Sequence, residues 1–110
     1  MDASTVTIKL DGVDTDLVCT VEAMSVMSKA YGGMLPLYER VKSLDFEAMV
    51  VAIRSGMMVD GPEAEALPDK VFKTGLFELQ TDVAEFVLLA ASGGIRKDAE
   101  NEGKKSSGKS

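Results

Sequence analysis

The sequence predicts an α+β fold: an N-terminal two-stranded β-hairpin followed by four to five short α-helices. Three observations carry that prediction. Residues 5–10 read Thr-Val-Thr-Ile-Lys-Leu, a strict polar–apolar alternation that marks a half-buried strand. Asp11-Gly12 supplies turn chemistry ahead of a second segment rich in β-branched residues. Beyond Thr20 the apolar period lengthens to that of a helix, and glycines and prolines divide the chain into helix-length pieces.

Each element follows in order. The first strand points Val6, Ile8 and Leu10 to one side and Thr5, Thr7 and Lys9 to the other. The second is Thr-Asp-Leu-Val-Cys-Thr-Val, residues 15–21, with Asp14 and Thr15 expected still to lie in the loop. Thr20 is a suitable N-cap for the first helix, and Glu22 complements its dipole. On a helical wheel, Ala23, Met24, Val26, Met27, Ala30 and Tyr31 share an arc of roughly 160°. Gly32-Gly33 ends that helix. Pro36 opens a second, with Leu37, Val41 and Leu44 as its stripe. Asp45 caps a third, apolar on nearly every side from Met49 to Ile53 and therefore central, and Gly56 is expected to stop it. Asp60-Gly61-Pro62 makes a connection, and one or two short helices run from Glu63 to Gly75, with Pro68 at a start. Leu79, Val83, Phe86, Val87 and Ala90 hold amphipathic spacing along a last helix from about Leu79 to Ala91.

The 110 residues fit one domain, and 45% apolar residues suffice for a small core. With 5% aromatic residues and no Trp, that core is built of Val, Leu, Met and Ala. Residues 1–94 carry 7 basic and 15 acidic side chains, a net of −8, whereas residues 95–110 carry 5 and 3, a net of +2. The domain is therefore placed at 1–94. Residues 95–110, with Ile95 and Ala99 their sole apolar side chains, read as a disordered polar tail.

Composition also excludes functions. A net charge of −6 disfavours nucleic acid and anionic lipid as partners. The longest apolar run, residues 86–91, is too short to span a bilayer, and the acidic, polar N-terminus is no signal peptide. A cytoplasmic protein is expected. With no histidine, neither a conventional catalytic triad nor an imidazole metal site can be built. The single Cys19 reads as a packed thiol, and Asp11-Gly12-Val13-Asp14-Thr15-Asp16 lacks the glycine and terminal glutamate of a calcium loop. "GKS" near the C-terminus lacks the flanking strand and helix of a phosphate loop. No enzyme activity, cofactor or metal is expected.

Surface for partners remains. Met24 and Met27 read as core on the wheel. Met57, Met58 and Val59, past the expected helix stop, and Met34, past Gly33, are the candidate partner-binding residues, because methionine adapts to irregular surfaces. The first strand offers an unpaired edge at Thr5, Thr7 and Lys9, through which a homo-oligomer is expected to form.

The order of these elements resembles the small tail assembly chaperones of long-tailed phages, in the version found in gene transfer agents and related prophages. The resemblance spans roughly residues 5–94. It rests on the strand pair leading through Thr20, Glu22 and Ala23 into the first helix, and on the Gly32-Gly33 break. It rests also on "AMVVAIRSGM" as a helix end, Gly75-Leu76, and the closing "LLAASGG". Met57 stands where leucine is commoner. The resemblance implies a protein that binds the tape measure protein in the host bacterial cytoplasm. It would keep that protein soluble during tail assembly and be absent from the finished particle. Two alternatives stay open: a structural minor tail or connector component, and a small acidic regulator of a host protein.

Overall fold

The computed structural model describes residues 4–93. The expected tail at 95–110 lies outside them. Strands β1 (Thr5–Leu10) and β2 (Val13–Val18) form an antiparallel hairpin. Helices α1 (Val21–Tyr31), α2 (Met34–Lys42), α3 (Phe46–Met57), α4 (Gly61–Glu65), α5 (Leu67–Thr74) and α6 (Leu76–Ala91) follow. Helix α4 is five residues long and meets α5 at Ala66, so the pair fills the place of the expected one or two short helices.

The hairpin is tighter than its sequence suggests. Asp11 and Gly12, at φ 52° and 81°, close it as a two-residue turn with both positions left-handed. β2 therefore begins at Val13, and Asp14 and Thr15 lie in the strand rather than the loop. The twist of a two-residue turn matches that of its flanking strands, which is why the shorter loop wins. Asp14 then pairs with Lys9 at 3.2 Å, an exposed ion pair of small energetic weight.

The inner hairpin face, with Val6, Ile8, Leu10 and Leu17 buried, covers a helical layer. β1 packs on α6 and β2 on α3; α2 packs on α6, and α1 on α3 and α2. The Thr20 hydroxyl accepts from Ala23 N–H at 3.0 Å, and Asp45 caps α3 by accepting from Ala48 N–H at 3.1 Å. Met27, Met49 and Ile53 are fully buried, as their apolar spacing requires.

Other boundaries also differ from expectation. β2 ends at Val18, because Thr20 and Val21 are taken up as the cap and first residue of α1, and α6 starts at Leu76 rather than Leu79, directly after Gly75. α2 starts at Met34, two residues before Pro36, because a proline in the first helical turn gives up no intrahelical bond. It ends at Lys42, and Leu44 lies beyond it in a left-handed turn (φ 64°). Gly56 does not stop α3. It is buried inside the helix, where a Cβ would lie 2.8 Å from both Leu17 Cβ and Phe86 Cζ. The glycine lets α3 approach β2 and α6 closely, and the helix instead runs to Met57 and is capped by Met58, itself left-handed at φ 59°.

Candidate functional site

Two surfaces emerge from this packing. The first is a groove of about 320 Å³ between α1 and the end of α3, bordered by Val26, Met58 and Val59, with Glu22 and Arg54 at its rim. Its floor includes Ala23 and Ser55, both buried; the Ser55 hydroxyl donates to the Val51 carbonyl at 2.8 Å, so the floor presents no unmet donor. Met58 is 60% exposed and Val26 53%. The walls are thus apolar and open, with one charge of each sign beside them.

Met58 merits a physical account. As the cap of α3 its N–H donates to the Arg54 carbonyl at 2.9 Å, closing the helix in the position usually given to glycine. A side chain there crowds its own backbone and costs about 1–2 kcal/mol. The methionine is therefore held outward at an energetic cost, beside the groove.

The expected partner-binding residues are not all brought together. Met58 and Val59 border the groove. Met57, Val59 and Met34 are partly buried against the core. Met34, at the start of α2, does not line the groove; neither does Met57. Met24 is half-buried, and the α1 apolar arc is narrower than the wheel implies: Val26 and Ala30 face outward. Two glycines and Pro36 bring α2 back along one side of α1 only, which leaves the Val26 side bare.

The second surface is the outer edge of β1. Cys19 N–H donates to the Ser4 carbonyl at 2.9 Å, so Ser4 and Cys19 form a hydrogen-bonded pair. Alternation along the register places Val6–Leu17, Ile8–Thr15 and Leu10–Val13 in the same class. The backbone N–H and C=O groups of Thr5, Thr7 and Lys9 consequently point away from β2. Among the described residues no third strand pairs there. Asp11 N–H points the same way and donates to Thr74 Oγ1 at 2.7 Å, so the end of α5 closes the edge at the turn. On the outer face, Thr7 Oγ1 donates to Asp16 Oδ1 at 2.7 Å.

Sequence reasoning missed the exposed phenylalanines, Phe72 on α5 and Phe77 on α6. A signal was present: each falls off the buried stripe of its own helix, Leu67 and Val71 in one and Leu79, Val83, Phe86 and Val87 in the other. Among the described residues no group of three Asp, Glu or Cys side chains gathers to hold a metal ion. None of the helices described is long and apolar enough to cross a membrane. Compared with known protein families, curated proteins and solved structures, the chain matches none.

Proposed function

We propose that the protein is a tail assembly chaperone, a non-enzymatic holdase that binds the tape measure protein in the bacterial cytoplasm and keeps it soluble while a phage-type tail assembles. The observation that carries this reading is the open apolar groove between α1 and α3, walled by Val26 and Met58. A long apolar helix in water needs a partner that covers a stripe of its surface, and a groove of this kind receives one such face. A flexible thioether at the groove mouth adapts to non-identical segments along a long client. The acidic domain surface keeps the complex soluble.

The test is co-expression with a tape measure protein. Wild-type protein is expected to move that partner into the soluble fraction, and Val26→Asp with Met58→Asp to abolish the effect while leaving the helical circular dichroism intact. Unchanged partner solubility with the wild-type chain would end the proposal. Detection of the chain in purified mature particles would favour a structural tail component instead.

A further inference from the structure

Resting on the reading of the α1–α3 groove as the client site, we infer that its occupant is an amphipathic helix whose apolar stripe is flanked by one basic and one acidic side chain. Two rim charges of opposite sign, Glu22 and Arg54, border the groove, and both are exposed. Among the described residues neither joins an ion pair; the pairs present are Lys9–Asp14 and Arg40–Asp45.

The layout of the rim follows from the helix directions. Burial first, and then the Asp45 and Glu47 carboxylates at the start of α3, push up the pKa of the Tyr31 phenol at the end of α1. At the groove the first turn of α1 meets the last turn of α3. The two helices therefore run antiparallel. Glu22 and Val26 are one turn apart on α1, as are Arg54 and Met58 on α3. Glu22 thus lies level with Met58, and Arg54 with Val26. Helix axes about 9 Å apart and a turn of about 6 Å put the two charges at opposite corners, roughly 11 Å along the diagonal. The apolar side chains hold the other two corners.

Such a groove selects a helix over an extended segment. Its floor offers no unmet donor: Ala23 N–H donates to Thr20 Oγ1 at 3.0 Å, and the Ser55 hydroxyl donates to the Val51 carbonyl at 2.8 Å. An extended backbone laid there would lose water without gaining partners, whereas a helix satisfies its own N–H and C=O groups. A cavity of about 150 Å³ takes one benzene-sized group, so about 320 Å³ takes two large apolar side chains. At i and i+4 they span about 6 Å, the distance from Glu22 to Val26 along α1. A helix seated this way directs its flanking residues at the corners. Apolar or like-charged flanks leave at least one rim charge partly dewatered and unmatched. A base beside Glu22 and an acid beside Arg54 match both. Turning the helix end for end exchanges the corners, so base-first and acid-first clients bind in opposite directions.

Fluorescence anisotropy of the full chain with labelled helical peptides of about 20 residues tests this. The peptides share one leucine stripe and differ in the flanking pair: Lys/Glu, Glu/Lys, Lys/Lys or Glu/Glu, with net charge held equal by residues on the far face. The mixed peptides are expected to bind about threefold or more tightly than the like-charged ones in about 0.05 M salt, and the preference should fade at about 0.5 M. Arg54→Glu should shift the preference to Lys/Lys, and Glu22→Lys to Glu/Glu, with helical circular dichroism unchanged. If a reversal lowers that signal, Arg54→Gln or Glu22→Gln replaces it and should erase the preference. Equal binding of all four peptides, or binding of none, overturns the inference. Self-association of the chain that Val26→Asp abolishes assigns the groove to a second copy and overturns it too. Co-expression is scored separately: a tape measure protein made soluble without any flank preference sinks this inference alone, and a flank preference without that solubility sinks the chaperone reading alone.

Discussion

Replacing Gly56 by alanine tests how the layers of this fold are held together. In an ordinary helix interior the change stabilises by about 1 kcal/mol, because alanine loses less backbone entropy. Here the new Cβ would sit 2.8 Å from Leu17 Cβ, 2.8 Å from Phe86 Cζ and 3.1 Å from Leu17 Cα. Both neighbours are fully buried, and Leu17 is fixed by its place in β2, so neither has room to retreat. Separating α3 from the hairpin by several tenths of an ångström loosens close-packed contacts along the whole interface, and overpacking of this kind costs about 1–3 kcal/mol or more. The clash outweighs the propensity gain, and a net loss of about 2 kcal/mol is expected. Urea unfolding followed by far-UV circular dichroism measures it as a lower midpoint at constant slope. Phe86→Leu in the same chain removes one of the two obstructions but not the Leu17 backbone, so the two changes should be less than additive without full rescue. An unchanged or raised midpoint for Gly56→Ala would refute the close approach of α3 to β2 and α6.

Two further outcomes follow from the caps. Met58→Gly should raise stability by about 1 kcal/mol, by relieving the left-handed methionine, while weakening capture of an apolar client; thermal unfolding and the co-expression assay read the two effects separately. The Asp45 carboxyl is held below its usual range, first by the bond from Ala48 N–H, with Arg40 reinforcing it. Because its folded pKa is depressed, its contribution is present above the unfolded value and is lost as pH falls through the folded one. Asp45→Ala should therefore lower the urea midpoint at pH 7 by the equivalent of about 1 kcal/mol, and this deficit should shrink as the pH is taken below about 4.

Much of the fold was legible because local chemistry acts over a few residues. Thr20 and Asp45 identify helix starts from their own side chains, Gly32 and Gly75 identify stops, and the alternation in residues 5–10 assigns the inner face of β1. The errors have two causes, one remote and one local. Gly56 looked like a stop because glycine is common there, yet its role is set by Leu17 and Phe86, which are remote in sequence. Leu44 kept helical spacing with Leu37 and Val41, but Arg40, Ser43 and Asp45 close α2 before it, with Asp45 N–H bonded to the Arg40 carbonyl at 3.0 Å.

The candidate surfaces were only half legible. Strand parity alone names Thr5, Thr7 and Lys9, and methionine chemistry alone draws attention to Met58. A helical wheel, however, shows which residues share a face and not whether a neighbour covers it. Val26 and Met27 share the same apolar arc, yet Met27 is fully buried and Val26 is bare, because α2 and α3 leave one flank of α1 uncovered. Phe77 likewise differs from Phe86 only by where β1, α2 and α3 lie around α6. By itself the sequence determined the element order, the caps and the inward faces, since these depend on backbone preferences and short-range periodicity. Which apolar residues stay exposed was decided by tertiary packing alone, because exposure depends on the positions of neighbouring elements that no local pattern encodes.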